Sequence, residues 1–314
     1  MITLILGSSG FIGKNLIHSL QNSVGISLRN HDWEKNLAVD NVDTIVNLVG
    51  KAHDHARESN ERDYYHANVE LTKHIFTEFT KSSAKLMIHV SSIASVEEFE
   101  AAHPLSEDDE CHPVSWYGQS KRQAEEWLLM QEIPLDKKLI ILRPPMVHGP
   151  GDKGNLGLLY KFISKGIPYP LAAFDNIRSF ICIDNFVFFI QKIIENKEKL
   201  DTGIYHISDN EPVGTKEIIA IIKDVTGKES PDLTLPKFFV RIIAKLGEFI
   251  PIPLNSSRLK KMTSNLLVSN SKIKQLLDIE NLPLTASLGI KKTIESFDEK
   301  KGYSYISVNG RSIN

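Results

Sequence analysis

The sequence has very few cysteines and almost no excess of charge of either sign. Only two of its 314 residues are cysteine, Cys111 and Cys182, which excludes a disulfide framework and is typical of a reducing compartment. The formal net charge is −2, so the chain lacks the basic field that nucleic-acid-binding proteins use. These absences predict a protein that binds no nucleic acid.

The sequence also lacks a visible secretory signal and any apolar run long enough to span a membrane. Met1 leads directly into ITLILG, a short apolar stretch without a basic flank. The strongest apolar run, FVFFIQKII at residues 186–194, is too short to cross a bilayer and predicts a buried helix. The sequence therefore predicts a cytoplasmic location.

Candidate metal ligands are sparse as well. His53 and His55 form the only close histidine pair, and neither clustered cysteines nor an obvious carboxylate ligand accompanies them. A zinc site needs three or four such ligands. We therefore expect no metal site.

The first half of the chain alternates short apolar runs with segments of helical period. After the first run, Ile12, Leu16 and Leu20 recur on one helical face. Continuous apolar strands that alternate with helices predict a parallel sheet covered on both faces. A shortened crossover is expected between residues 23 and 42. The predicted strands cover residues 2–6, 24–29, 44–50, 86–92 and 139–145.

The composition changes after Pro150, where prolines and glycines become frequent and helices alternate with short strands such as SFICI and GIYHIS. This change predicts a sheet domain at residues 1–150, to which some later segments return, and an interleaved second lobe at 151–300. Residues 301–314 form a polar tail. The apolar and basic stretch at residues 236–253 predicts a helix packed on the second lobe, and contact with a membrane surface is the alternative.

A glycine-rich loop joins the first predicted strand to the first predicted helix. In GSSGFIG, Gly7, Gly10 and Gly13 surround Phe11 and Ile12. Glycines at such a turn permit close approach to a pyrophosphate, and the free N–H groups of the helix N-terminus attract the anion. The loop therefore predicts dinucleotide binding, with these five residues at the cofactor.

A tyrosine precedes a lysine by four residues in SWYGQSK, where Tyr117 and Lys121 would share one face of a helix. A neighbouring cation lowers the pKa of a phenol, which makes it a usable proton donor and acceptor. We therefore predict that Lys121 lowers the pKa of Tyr117.

The G-x-x-G-x-x-G spacing, the later Y-x-x-x-K and a serine between them together resemble the short-chain dehydrogenase/reductase superfamily. The length is similar to that of its extended branch, whose members mostly remodel nucleotide sugars. The resemblance runs from Met1 to about Phe297. It implies an α/β fold of the Rossmann type: a doubly wound parallel sheet with a smaller, interleaved, C-terminal substrate-binding lobe.

The resemblance also implies roles for three residues. Ser92 lies 25 positions before Tyr117, as in the family, and would hydrogen-bond the reacting oxygen, with Ser91 as a neighbour that lines the cofactor. Tyr117 would exchange a proton with the sugar. Lys121 would hold the ribose hydroxyls of the nicotinamide, and the nicotinamide would carry the hydride.

Further residues are placed by similarity to segments of extended-branch enzymes. In LRPPMVHGPGDKGN, Pro144, Met146 and Val147 would pack on the nicotinamide, and Asn155 would reach the diphosphate or sugar of the substrate. In NIRSFICIDN and SSRLKKM, Arg178 and Arg258 would bind the diphosphate, because a guanidinium matches phosphate oxygens bidentately.

The choice between NAD and NADP depends on the residues at the end of the second predicted strand. Enzymes that prefer NAD place an acid there, whereas this sequence has Arg29 and Asn30. Arg29 favours NADP, and the nearby Asp32 keeps NAD open.

The resemblance leaves several reactions open. Ile93 and Ala94 replace the acids that dehydratases place beside the catalytic serine, so dehydration is disfavoured. The segments are most similar to bacterial hexosamine 4-epimerases and 4-keto reductases. The NADP preference favours a reductase acting at C4 of a UDP-linked acetamido hexose, with a deoxy form of the sugar left open, for surface polysaccharide. The alternatives are a 4-epimerase with tightly bound NAD, a lipid-diphosphate-linked substrate, and a non-catalytic dinucleotide sensor or scaffold. Homodimers are common in the resembling family.

Overall fold

The computed structural model describes residues 2–28, 41–52, 59–152, 154–169, 173–228, 231, 235–247 and 256–298. The strands are β1 (Ile2–Leu6), β2 (Ser23–Ile26), β3 (Val42–Asn47), β4 (Leu86–Val90), β5 (Lys138–Arg143), β6 (Met146–His148), β7 (Ile177–Arg178), β8 (Phe180–Cys182), β9 (Gly203–His206) and β10 (Val213–Gly214). The helices are α1 (Phe11–Ser19), α2 (Glu61–Tyr65), α3 (Leu71–Lys81), α4 (Trp116–Leu129), α5 (Asn155–Ile163), α6 (Ile183–Glu195), α7 (Thr215–Thr226), α8 (Lys237–Leu246), α9 (Ser256–Thr263), α10 (Ser271–Leu276) and α11 (Ala286–Phe297).

The chain divides into two compact units. Unit 1 comprises the described residues within Met1–Pro145, Asn185–Ser208 and Val268–Pro283, and unit 2 those within Met146–Asp184, Asp209–Leu267 and Leu284–Asn314. The boundaries of the predicted domains at 150 and 300 stay predictions, and the predicted tail at 301–314 lies outside the described residues.

Unit 1 contains a six-stranded parallel sheet in the order β2-β1-β3-β4-β5-β9. The strands β1 and β4 are apolar along almost their whole length and buried, as expected of a parallel sheet that helices cover on both faces. Leu6 at the end of β1 pairs with Ile26 on one side and with Asn47 on the other. This order confirms the predicted Rossmann-type sheet.

The strand order reverses beside β1. From β1 the chain moves outward to β2 and then returns past β1 to β3. In an open parallel sheet, ligands bind at such a switch point, at the carboxyl ends of the strands. The fold therefore places a crevice beyond Leu6 and Asn47, where the glycine-rich loop begins.

The segment GIYHIS was predicted as one of the short strands after Pro150. Its strand β9 joins the large sheet of unit 1, where Leu142 of β5 pairs with Tyr205. The neighbouring strand β8 instead pairs with β6 within unit 2. Only the pairing partners show which strand belongs to which unit, because β8 and β9 are both short and largely apolar.

Unit 2 has its own core, built around one face each of α5, α7 and α11. The face of α7 that carries Ile218, Ile219 and Ile222 is buried, in keeping with its spacing of three and four residues. Helix α8 contributes only Val240 and Ala244 to this core. Among the described residues, no helix is both long and apolar enough to cross a membrane.

Candidate active site

The glycine-rich loop turns tightly between β1 and α1. Gly7 has a φ of +84°, which lies in the left-handed region that favours glycine. A Cβ built on Gly13 would lie 2.4 Å from the carbonyl oxygen of Gly7, so only glycine permits this approach. Gly10 is the N-cap of α1, and none of the described side chains caps this helix. Its first-turn N–H groups are thus placed for an anion.

The residues after β3 connect this turn with Lys121. A Cβ on Gly7 would lie 3.1 Å from the carbonyl carbon of Leu48, and one on Gly50 would lie 3.0 Å from Nζ of Lys121. Lys121 is buried, and its Nζ donates to the carbonyl oxygen of Val90 over 2.9 Å. The ammonium therefore lies at the carboxyl end of β4, next to the segment that borders the glycine turn.

Ser92 and Tyr117 meet at the same edge of the sheet. Ser92 follows β4, and its Oγ accepts a hydrogen bond of 3.2 Å from the N–H of Ala94. The Ser92 side chain also lies near enough to the phenol of Tyr117 to lower its pKa. Tyr117 lies in the first turn of α4, which begins after Ser115, whose Oγ accepts from the N–H of Gly118 over 3.1 Å. The N-cap thus fixes where the phenol projects.

Burial dominates the proton affinities of this cluster. It lowers the pKa of Lys121 to about 8, against the opposing effect of the Glu125 carboxylate. It raises the pKa of Tyr117, and the neighbouring Ser92 hydroxyl only partly offsets the rise, while the carboxylates of Glu98 and Glu125 add to it. The predicted lowering of the Tyr117 pKa by Lys121 is therefore wrong for the protein without ligand, because desolvation of the phenolate is the largest effect and Ser92, not Lys121, is the group that lowers the pKa.

A buried carboxylate behind the site was not singled out from the sequence. Glu125, one turn after Lys121, is fully buried and accepts hydrogen bonds from Ser91 (2.5 Å), Ser95 (2.8 Å) and Arg143 (2.6 Å to Oε2). The hydroxyl of Ser91 is thus directed to this carboxylate, and the predicted position of Ser91 as a lining of the cofactor stays a prediction. A glutamate four residues after the lysine was a usable signal.

Asn68 was also missed, although it lies next to the predicted lysine helix. It is fully buried in a π-helical turn, His66–Glu70, and its Nδ2 donates to Ser120 Oγ (2.8 Å) and to the carbonyl oxygen of Lys51 (3.1 Å). Its Oδ1 accepts from the N–H of Lys51 over 2.8 Å. An asparagine on the apolar face of a helical segment was the available signal.

The remaining predicted cofactor residues occupy both units. The carbonyl oxygen of Pro144, in unit 1, accepts from the N–H of Ile93 over 2.9 Å, directly after Ser92. In unit 2, Met146 and Val147 lie on β6 and pair with Phe180 and Ile181. Arg29, Asn30 and Asp32, on which the choice of NAD or NADP depends, lie outside the described residues, as do His53 and His55.

Apart from Ser92, which belongs to unit 1, the predicted substrate residues belong to unit 2. Asn155 is the first residue of α5, and Arg178 lies on β7, where its Nη1 donates to the carbonyl oxygen of Ser264 over 3.4 Å. Arg258 belongs to α9, but its side chain is not among those described. The described residues contain no group of three or more His, Cys, Asp or Glu side chains that could hold a metal ion.

Comparisons with known proteins show similarity to one family and to 4-epimerases. The sequence model of the NAD dependent epimerase/dehydratase family matches residues 3–208. The chain is 27% identical to a UDP-glucose 4-epimerase of Vibrio cholerae, with 94% of each chain covered. It is 26% identical to an N-acetyl-alpha-D-glucosaminyl-diphospho-ditrans,octacis-undecaprenol 4-epimerase of Escherichia coli O157:H7, over 74% of this chain and 75% of the relative.

The fold is similar to that of a UDP-glucuronic acid 4-epimerase from Bacillus cereus solved in complex with NAD. The TM-score is 0.75 at 18% identity, and the match covers 95% of this chain and 99% of the other. At this identity the likeness concerns the fold.

Proposed function

The chain belongs to the NAD dependent epimerase/dehydratase family, and from this assignment we propose that it is a nucleotide-sugar 4-epimerase that retains its NAD. The chain is an enzyme, which sets aside the alternative of a non-catalytic sensor. The relatives in Vibrio cholerae and Escherichia coli are both named 4-epimerases. Their names support an epimerase over the 4-keto reductase that the sequence favoured, and the preference for NADP stays a prediction that rests on Arg29.

One observation carries the proposal. The Ser92 hydroxyl lies near enough to the phenol of Tyr117 to lower its pKa, and the buried ammonium of Lys121 lies at the end of the strand that Ser92 follows, β4. A hydroxyl and a phenol side by side can hold one substrate oxygen between them, and a buried cation stabilises negative charge on the phenol.

The residues of unit 1 fit a dinucleotide. A Cβ at Gly13 would fill the turn, the N-terminus of α1 has no described side-chain cap, and the switch point of the sheet lies beside them. Gly7, Gly10, Phe11, Ile12 and Gly13 would hold the pyrophosphate. When bound, NAD supplies the site that accepts a hydride from C4 of the sugar and returns it.

The protein's own groups would move the proton. As a phenolate, Tyr117 would accept the proton of the sugar's 4-hydroxyl when C4 is oxidised, and as a phenol it would return that proton when C4 is reduced from its other face. Ser92 donates a hydrogen bond to the same oxygen. With a pKa of about 8, Lys121 is mostly an ammonium at pH 7, so it offsets the cost of a buried phenolate and binds the ribose hydroxyls.

For the substrate we propose a UDP-linked hexose, which the Vibrio cholerae relative's name supports. Asn155, Arg178 and Arg258 of unit 2 would contact its diphosphate or sugar. The Escherichia coli relative is named for a lipid-linked sugar diphosphate, which keeps that second substrate class in the test. The same experiment tests whether the sugar carries an acetamido group.

The experiment is incubation of the purified enzyme with UDP-glucose, UDP-N-acetylglucosamine or a polyprenyl-diphosphate-linked N-acetylglucosamine, without added cofactor. We expect conversion of one of them to a mixture with its C4 epimer, and about one NAD(H) per chain by mass spectrometry. Tyr117→Phe should slow the reaction by at least about 100-fold. Tyr205→Phe is the matched control, because this tyrosine lies on β9 and donates only to the carbonyl oxygen of Asp201.

Two outcomes would contradict the proposal. In a parallel incubation of a UDP-linked 4-keto hexose with NADPH, net oxidation of the NADPH with one reduced product per turnover would indicate a 4-keto reductase. Equal rates for Tyr117→Phe and the parent would remove the phenol from the mechanism.

A further inference from the structure

Helix α8 of unit 2 exposes far more apolar surface than its neighbours. Its exposed side chains are Phe238 (67%), Phe239 (57%), Ile242 (39%), Ile243 (41%) and Leu246 (49%). No other helix in the described part of the chain has more than two large apolar side chains exposed to this degree. Isolated exposed apolar residues are normal, but a contiguous set marks an interaction surface.

These five residues form one continuous stripe. At 3.6 residues per turn, the five positions fall within an arc of about 140° around the helix axis. Val240 and Ala244 occupy a different arc and are the residues that attach α8 to the core of unit 2. The apolar stripe is therefore not the face by which the helix packs on its own unit.

The charges on the same helix are all positive. Lys237, Arg241 and Lys245 are exposed, and α8 contains no acidic residue. Their positions fall within an arc of about 80° that borders one long edge of the apolar stripe. The whole chain carries a net charge of −2, so this concentration of cations is a local feature.

We propose that α8 is a docking surface for an anionic lipid bilayer. The helix would lie in the interface, with its apolar stripe among the acyl chains and the row of cations at the headgroups, the arrangement that amphipathic interfacial helices adopt. Charge complementarity selects this occupant: a second copy packed antiparallel on the stripe would bring the two rows of cations to the same edge, and an uncharged apolar partner would supply no counter-charge to Arg241 and Lys245. Lys237 is already partly engaged, because its Nζ lies 5.4 Å from the centre of the Phe174 ring and its charge helps to lower the pKa of Asp175. This surface goes beyond the proposed epimerase activity.

The test is co-sedimentation of the whole enzyme with vesicles, either of phosphatidylcholine alone or with about one third phosphatidylglycerol. We expect binding to the anionic vesicles that weakens as salt rises from about 0.1 to 0.5 M, because surface electrostatics are screened. Arg241→Gln should weaken binding about fivefold, as expected for one cation at an anionic surface. Phe239→Ser should weaken it about tenfold through lost apolar contact.

Matched controls lie elsewhere in unit 2. Lys161→Gln on α5 and Leu288→Ser on α11 change exposed residues of the same kinds and should bind vesicles like the parent. All four variants keep Val240 and Ala244, and we expect their melting temperatures to agree with that of the parent.

Three results would overturn the proposal: equal binding to both kinds of vesicle, equal loss in the α8 variants and the controls, or concentration-dependent self-association that Phe239→Ser abolishes. The last would identify a second copy of the chain as the occupant. Turnover of a UDP-sugar in vesicle-free solution is measured separately, so failure of vesicle binding is distinguishable from failure of the epimerase proposal.

Discussion

Replacing Lys121 by methionine should abolish activity and change how the stability of the nucleotide-free protein depends on pH. Burial lowers the pKa of Lys121 from its ordinary 10.5 to about 8. A difference of about 2.5 in pKa corresponds to roughly 3 kcal/mol, at about 1.36 kcal/mol for each pKa unit. This is the cost, at pH 7, of keeping the ammonium in its buried position in the folded protein.

The methionine variant avoids this cost but loses the hydrogen bond of Nζ to the carbonyl oxygen of Val90, worth about 1.5–3 kcal/mol for a charged donor. We therefore expect the variant to be as stable as the parent at pH 7, or more stable by about 1 kcal/mol. Between pH 8 and 10.5 the unfolded parent binds a proton that the folded parent does not, so the parent's unfolding free energy rises with pH relative to the variant's.

Urea unfolding at pH 7, 8, 9, 10 and 10.5 measures this difference directly. The unfolding free energy of the parent minus that of Lys121→Met should rise by roughly 3 kcal/mol across this range. Other titrating groups are common to both proteins and cancel. Lys161→Met, at an exposed position on α5, is the control and should give a flat difference.

A flat difference for Lys121→Met would refute the reasoning, because it would mean that the lysine is as well solvated in the folded protein as in the unfolded one. A lysine in that state could not stabilise a phenolate at Tyr117 strongly, because only a low-dielectric environment strengthens the attraction between the two charges.

Three more predictions follow from close contacts. Gly13→Ala should lower NAD retention at least about tenfold and destabilise the fold by about 1–3 kcal/mol, because its Cβ would lie 2.4 Å from a backbone oxygen. Mass spectrometry of the bound nucleotide measures the first effect and urea unfolding the second. Full NAD content would contradict the proposed pyrophosphate site. Glu125→Gln should cost about 3–5 kcal/mol in unfolding free energy, because the buried guanidinium of Arg143 loses its counter-charge. The double variant Glu125→Leu/Arg143→Met should recover most of the lost stability. A double variant as unstable as Glu125→Gln would argue against the ion pair as the cause. Asn68→Ala should cost about 1–3 kcal/mol in unfolding free energy, because it leaves buried partners without hydrogen bonds. One of these partners is Ser120, the residue before Lys121 on α4, so the variant should also lower kcat more than it raises KM. An unchanged kcat would show that Asn68 does not support the position of Lys121.

Several local features could be predicted from the sequence because they depend on residues close together in the chain. The strand at residues 2–6, the glycine turn and the helix that carries Tyr117 and Lys121 follow from apolar runs, glycine spacing and helical period. The predicted and observed limits of that first strand agree, whereas β5 ends at Arg143, two residues before the predicted end. The alternation of strands and helices also sufficed for the Rossmann-type fold.

Tertiary structure decided what depends on distant partners and on solvent exclusion. Strand β9 joins the large sheet because it pairs with β5 across more than 60 residues of sequence. Ser91 donates to Glu125, 34 positions later, and Asn68 reaches Ser120, 52 positions later. The direction of the Tyr117 pKa follows from desolvation, which no spacing encodes. The sequence by itself determined the local chemistry and the kind of fold, and packing decided which polar groups meet and how burial changes their proton affinity.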